Sequence, residues 1–542
     1  MTEQTRTRTR GAPSLARASG AMAVATVVSR VSGLLSKVLL VAVLGLGTVN
    51  DSYTVANTLP TVVNELLLGG VLTSIAVPLL VRAQQRGPEE GEAYAQWMIT
   101  MGAALMLVAT VVAVACAPLL TALYLGPNTR ANAELTTAFA YLLLPGIVFY
   151  GLSALLQGVL NVRGVFGTPA WAPVINNVVV IATLGLYTLL PGEISTSPVR
   201  MGEPKLLVLG IGTAFGICAQ SLIMVASLRR NRFRFRWRWG VDHRLREFGA
   251  LSLWVVGYTL VSQVGMVVTT RVTGQGTPGS VATFNYAWLL SQVPYGVLGV
   301  SLLTALMPRI SRAAGEDDTE RFTADLSLGT RMSAVLLLPI SAAMLVGGTS
   351  IGVAFFSVGQ GSLAAADRLG TTLGLAALGI VPFAITMLQL RAFYALKDAR
   401  TPTWINVIMV VFRAALCYLF LATVDAGNLV AAVALAMSAS FALGAVVGQV
   451  WLHARVGGLR TASTAVSIGR ALAATVVGAA CALAASSALS GVTGQFGAFG
   501  QAWADMLVRG LVVLVVSFGL LAALRAPELA PVLGRLRRMA GR

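Results

Sequence analysis

The sequence predicts an all-α polytopic membrane protein of fourteen transmembrane helices, arranged as two parallel six-helix lobes followed by two extra C-terminal helices. Three observations carry that expectation. Of 542 residues, 56% are apolar and 11% charged, against about 25% charged in a large soluble protein. The apolar residues gather into fourteen runs, each long enough for a span of about 20 residues. The chain also repeats weakly at an offset of 230–233 residues. This composition excludes an ordinary cytosolic enzyme and a disordered chain. It also makes nucleic acid an unlikely partner despite a net charge of +18.

Residues 1–19 form a polar cytoplasmic tail carrying Arg6, Arg8, Arg10 and Arg17. A long span containing Arg30 and Lys37 follows, not a short apolar region with a cleavage site, so the first span is expected to be retained. The predicted spans are 20–46, 53–81, 97–123, 135–161, 170–190 and 206–228 in the N-lobe (20–228). After a basic cytoplasmic loop (229–247) come 248–272, 280–308, 329–357, 369–396, 403–424 and 428–452 in the C-lobe (248–452). Spans 466–489 and 506–524 lie within 453–524, and a basic tail (525–542) ends the chain. Helices are expected because the alternating pattern of a membrane barrel is absent.

The charges test this register. With the N-terminus inside, cytoplasmic segments hold 28 of the 39 Lys and Arg, outside segments five (Arg130, Arg200, Lys205, Arg271, Arg368), and spans six (Arg30, Lys37, Arg391, Arg413, Arg470, Arg509). That bias is the one expected of cytoplasmic loops. The loop 229–246 reads RRNRFRFRWRWGVDHRLR. Extended, it would place cations on one face and aromatics on the other, as an anchor on the inner leaflet among anionic lipids. Cys116, Cys218, Cys417 and Cys481 lie in apolar stretches without paired spacing and read as small buried hydrophobes. His243 and His453 are isolated, which argues against a His-based metal or triad site. No cofactor is expected, and no loop is long enough to hold a soluble domain.

The repeat pairs Ser29-Arg30-Val31 with Ser262-Gln263-Val264, Tyr53 with Tyr286, Pro78 and Arg82 with Pro308 and Arg312, and Thr168-Pro169 with Thr401-Pro402. Its unit is six spans, an even number. The second copy therefore enters from the same side, and its axis runs along the membrane normal. Two such lobes favour a transporter with substrate between them near the midplane.

Charges within spans cost about 2.5–3.5 kcal/mol each at a helix centre. Arg30 and Lys37 stand seven residues apart, on one face of span 1. They predict a cationic cavity for an anionic substrate, the alternative being a structural pair such as Arg30 with Glu65. Tyr53, Asn57 and Asn64 share a face of span 2, which Pro60, Gly69, Gly70 and Pro78 interrupt. Span 8 repeats the theme with Pro294, Gly296, Gly299 and Pro308. Broken spans line sites or act as hinges, and glycines alternatively serve close packing. Asp51 reads first as a cap for span 2. Arg391 is expected to snorkel, and Arg470 and Arg509 to lie at interfaces.

Several stretches resemble the MurJ (MviN) lipid II flippase family of the multidrug/oligosaccharidyl-lipid/polysaccharide exporter superfamily. They are Ser29-Arg30-Val31-Ser32-Gly33, Asn50-Asp51 with Leu59-Pro60, PAWAPVIN from Pro169, VPYGVLGV from Val293, and FYALKDARTP from Phe393. The resemblance implies carriage of lipid II, the undecaprenyl-diphosphate-linked peptidoglycan precursor, from the inner to the outer leaflet. It also implies a bacterial cytoplasmic membrane location with both termini cytoplasmic, and cell-wall synthesis proteins as partners. It implies a cationic cavity, with spans 13 and 14 as a groove for the lipid tail. The family's first cavity arginine matches Arg30. The other three positions fall at Ser36 (beside Lys37), Asn64 and Leu289, with Arg271 near enough to compensate. A sodium site known in some members would fall near Asp398. The expected substrate contacts are therefore Arg30, Lys37, Asn57, Asn64, Gln263 and Arg271. The expected gate and hinge residues are Asp51, Pro60, Gly69, Gly70, Pro294 and Gly296.

Three other functions compete. A cationic-drug exporter would want carboxylates in the cavity, where this chain has cations. A membrane enzyme on polyprenyl diphosphates would need clustered carboxylates or His. A scaffold would not need Arg30 and Lys37 within a span.

Overall fold

The computed structural model describes residues 15–69, 76–240 and 249–529. The distal tails, Gly70 and the end of the basic loop lie outside them. Every regular element among the described residues is helical. Lipid supplies no hydrogen-bond partner, so a spanning backbone must satisfy itself along one helix.

The first span is α1 (Leu15–Leu44). Span 2 is divided into α2 (Thr48–Asn64), a π-helical turn (Glu65–Gly69) and α3 (Val77–Arg86). Then come α4 (Pro88–Ala115), α5 (Ala117–Leu125), α6 (Ala133–Leu143), α7 (Gly146–Val162), α8 (Gly167–Leu189) and α9 (Pro204–Arg230). The second series begins with α10 (Gly249–Thr273) and α11 (Ser280–Pro294). A second π-helical turn (Tyr295–Gly299) leads into α12 (Val300–Gly315). It continues through α13 (Thr319–Phe356), α14 (Leu363–Ala377), α15 (Ile380–Ala395), α16 (Arg400–Thr423) and α17 (Leu429–Val456). The last two are α18 (Thr461–Thr493) and α19 (Gly497–Ala523).

Eleven helices among the described residues are long and apolar enough to cross a membrane, and two bent pairs raise the number to thirteen. The pairs are α6 with α7, bent 47°, and α14 with α15, bent 44°. The remaining predicted span, 53–81, contains residues 70–75, which lie outside the described residues, so it is not among the thirteen. Other limits shift for local reasons. Helix α4 starts nine residues before predicted span 3, since Pro88 fits the first helical position and Glu89 and Glu90 suit the positive N-terminus. Helix α13 starts ten residues early because Asp318 caps it, accepting the Arg321 amide at 3.0 Å.

The repeat seen in sequence recurs as backbone geometry. The two π turns, Glu65–Gly69 and Tyr295–Gly299, sit 230 residues apart. The turns that end α7 and α15 also match. Val165 N donates to Leu160 O at 2.9 Å and Asp398 N to Phe393 O at 3.0 Å, around left-handed Gly164 (φ 76°) and Lys397 (φ 59°), each 233 apart. An asparagine amide then ties the next helix to the first of its series. Asn177 of α8 donates to Ser29 O (3.1 Å) and Ser32 Oγ (2.9 Å) of α1. Asn406 of α16 donates to Tyr258 O (2.9 Å) and Ser262 Oγ (2.8 Å) of α10.

The chain gathers into two compact units. One comprises 1–39, 57–117 and 138–249; the other comprises 40–56, 118–137 and 250–542. In the first, Ser153 of α7 and Ser221 of α9 share a 2.7 Å bond, and Leu155 of α7 packs on Gly102 of α4. In the second, α13 and α14 cross with backbones in contact. A Cβ on Gly348 or Gly352 would strike the carbonyl of Gly370 or Ala366. The last two helices are pinned to α13 at both ends. Arg509 of α19 donates to Val346 O (3.0 Å) and Ser486 Oγ (3.0 Å), and Asp505 accepts from Ser486 (3.0 Å). At the other end, buried Glu528 accepts from Ser467 (2.9 Å) and pairs with Arg331 at 3.4 Å. Arg509 thus joins α13, α18 and α19.

Candidate functional site

The spans expected to carry the site change from α to π geometry where the sequence breaks them. In α2, Pro60 removes an amide from the ladder, and the helix widens into the Glu65–Gly69 π turn. In the second series α11 ends at Pro294, and Gly296 and Gly299 lie within the matching π turn. Gly299 takes the ring of Tyr295 where its own side chain would be. Single π turns of this kind concentrate at functional sites. Gly70, expected to share the hinge, lies outside the described residues.

Asp51 is in the first turn of α2 and is 3% exposed. Its carboxylate does not cap α2. Oδ2 accepts from Gly279 N at 2.7 Å and Oδ1 from Ala282 N at 2.8 Å. Gly279 (φ 88°) is the N-cap of α11, which has no side-chain cap of its own. Asp51 thus caps a helix 228 residues away, and a carboxylate there also suits the positive end of that helix. Beside it, buried Tyr286 donates to Asn50 Oδ1 at 2.6 Å, and Asn50 Nδ2 donates to Gly45 O at 2.6 Å. Around this knot Gln360 N donates to Ala42 O (2.8 Å), Ser52 Oγ to Asn132 O (3.2 Å) and Arg130 N to Gly274 O (2.8 Å). These bonds all lie within the second unit.

Arg271, expected as an outer contact for substrate, donates its Nε to Leu123 O at 2.6 Å and packs on Gly126. It caps the C-terminal end of α5, where unsatisfied carbonyls favour a cation. Arg30 is exposed, Lys37 is half-buried, and neither forms an ion pair among the described residues. The alternative Arg30–Glu65 pair is therefore not made. Asn57, Asn64 and Gln263 are half-buried, and Asn64 Oδ1 has no donor. Ser36, next to Lys37, is buried and bonds back to Gly33 O at 2.8 Å. Asp398 is engaged locally: it accepts from Thr401 N (3.0 Å) and Thr401 Oγ1 (2.6 Å) at the start of α16. No three His, Cys, Asp or Glu side chains cluster as a metal would require among the described residues.

One further cation seen within a span in the sequence is buried here. Arg413 of α16 is 8% exposed, and its guanidinium lies over Gly265 of α10, in the space a Cβ would fill. No carboxylate or carbonyl accepts from it among the described residues. Its signal was present, a lone arginine in the middle of a span, but its neighbour glycine lies 148 residues away.

A profile of the family described as Lipid II flippase MurJ matches residues 40–499. The chain is similar to the Lipid II flippase MurJ of Burkholderia cenocepacia, with 27% identity over 403 residues, 73% of this chain and 76% of that one. It is also similar to the Probable lipid II flippase MurJ of Synechocystis sp., with 26% identity over 423 residues, 75% of this chain and 76% of the relative. Among solved structures it is similar to "Lipid II flippase MurJ, inward closed conformation", with a TM-score of 0.73 and 20% identity, covering 93% of this chain and 99% of that one. An inward-facing multidrug resistance MATE family transporter of the MOP superfamily matches at a TM-score of 0.65 and 16% identity, covering 80% of this chain and 96% of its own.

Proposed function

The chain belongs to the lipid II flippase MurJ family, and from that premise we propose that it is itself a lipid II flippase, moving the precursor from the inner to the outer leaflet by alternating access. The family match over residues 40–499, which spans both repeats except the first part of span 1, carries this reading. It is a multi-pass membrane protein. The positive charge of its short loops supports a cytoplasmic-membrane orientation with both termini inside. The reading is one of transport, not of catalysis.

The residues suit an anionic headgroup. A diphosphate brings about two negative charges into a medium where each pairing is stronger than in water. Arg30 offers a planar fork able to hold phosphate oxygens bidentately, and Lys37 adds a point charge on the same helix. Neither is neutralised by a carboxylate among the described residues. Asn57, Asn64 and Gln263 offer neutral donors and acceptors to a sugar-peptide headgroup, Asn64 with a free carbonyl oxygen. The paired π turns supply flexible points in spans 2 and 8. Spans 13 and 14 would carry the lipid tail.

The test is replacement of the resident flippase in a depletion strain, with lipid II content and growth as readouts. Growth without lipid II accumulation is the expected result; continued accumulation with the protein present in the membrane refutes the reading. Orientation is tested by cysteine accessibility. Gly192→Cys and Gly494→Cys should label from outside, and Asn231→Cys and Gly457→Cys only from inside.

A further inference from the structure

The chain leaves α9 through Arg232, a left-handed residue (φ 59°), with Phe233 N bonded to Leu228 O at 3.2 Å. Phe233 is buried with the Arg163 guanidinium 4.7 Å from its ring centroid. From there residues 234–240 run extended along α4. Arg234 N donates to Glu92 Oε1 (3.2 Å), and Gln96 Nε2 donates to Arg234 O (2.6 Å). Arg238 donates its Nε to Gln96 Oε1 (2.9 Å) and its backbone N to Thr100 Oγ1 (3.3 Å), and Trp97 Nε1 donates to Gly240 O (2.8 Å). Glu92, Gln96 and Thr100 are spaced four apart on one face of α4, so this polar stripe rises about 12 Å along the helix. The four residue steps from Arg234 to Arg238 cover about 13 Å when extended. The strap and the stripe match in length, and the strap climbs toward the apolar part of α4, which begins at Met98.

The aromatic half of the expected pattern is present. Phe235, Trp237 and Trp239 form a continuous ladder: the first two rings meet edge-on at 5.1 Å, the last two stack at 6.4 Å with planes 10° apart. Trp237 is 66% and Trp239 67% exposed. Arg229, Arg230, Arg232, Arg234 and Arg236 are exposed too, and no acidic residue lies between 229 and 240. Rings this open are costly in water and suited to a headgroup layer, and the cations around them fit a negative surface.

We propose that the strap 232–240 is a docking site for anionic phospholipid headgroups of the inner leaflet, with guanidiniums on the phosphates and the Phe235–Trp237–Trp239 ladder among the upper acyl carbons. The proposal rests on the orientation given above but not on the transported substrate. Phe233 and the α4 stripe hold the strap in place without any lipid. Arg234 and Arg236, whose side chains do not tether it, are free to set the headgroup preference.

The test uses the full chain in proteoliposomes and reads tryptophan quenching by lipids brominated near the headgroup. The protein has nine tryptophans, so the strap signal is the wild type minus Trp237→Phe/Trp239→Phe. At equal mole fraction, brominated phosphatidylglycerol should quench that signal severalfold more than brominated phosphatidylcholine. Arg234→Gln/Arg236→Gln should keep the quenching and abolish the preference. Equal quenching by the two lipids in the wild type would overturn the headgroup site and leave a non-selective anchor. No quenching by either would overturn membrane docking altogether. Because this assay needs no transport, its failure is distinct from failure of complementation.

Discussion

The carboxylate of Asp51 caps the helix that begins after Gly279, with Oδ2 2.7 Å from the Gly279 amide and Oδ1 2.8 Å from that of Ala282. A residue at the start of one span thus completes the N-terminus of another. The bonds are charge-assisted and sheltered from water, which makes them stronger than neutral ones. A capping side chain is typically worth about 1 kcal/mol.

Asp51→Ala, which removes both acceptors, should therefore loosen α11 at its start while leaving the fold intact. Hydrogen exchange of the amides at 279–283 should accelerate several-fold, about what 1 kcal/mol implies. Unchanged exchange in the variant would mean that other contacts hold this end closed.

The α13–α14 crossing predicts a steric effect with a clean control. Gly352→Ala places a methyl against Ala366 O and Gly370, an overpacking change that costs about 1–3 kcal/mol. The melting temperature of the purified protein should fall by several degrees. Gly427→Ala, with nothing within 4 Å of its Cβ, should leave it unchanged. Equal behaviour of the two would show that the helices separate without cost.

Arg30→Ala should abolish complementation at normal protein levels, and Arg130→Ala should not. Both arginines are exposed, so the comparison isolates position from charge. Full activity of Arg30→Ala would remove Arg30 from the substrate site. Loss of the protein from the membrane would show a structural role in its place.

Arg413 tests what a buried charge costs this fold. A buried charge without an acceptor is a burden, and an apolar residue of similar length relieves it. Arg413→Met should therefore melt at or above the wild-type temperature. Lower stability would identify the guanidinium as a packing element on Gly265.

Much of this fold was legible in the chain. Apolar run lengths located thirteen spans, and the 230–233 offset anticipated the matched π turns and the matched Gly164 and Lys397 turns. The interruption of span 2 was also written in Pro60 and its glycines. The site was legible only as residue types. Arg30 and Lys37 were visible as cations within a span, but the bonds of Arg271 to the end of α5 and of Arg509 to α13 and α18 join segments far apart in sequence.

The sequence by itself determined which segments are apolar enough to cross a membrane, how they repeat, and how positive charge is distributed among their loops. Each of these is a sum over neighbouring residues: transfer free energy along a run, or charge within a short loop. Only the tertiary structure decided that Asp51 meets Gly279, that Arg413 lies on Gly265, that Asn177 and Asn406 bind equivalent helices, and that the basic strap climbs α4. Those are choices of partner between segments tens to hundreds of residues apart. A buried polar group must find a partner, but its identity tells only that one is needed. Which one it gets depends on where the helices cross.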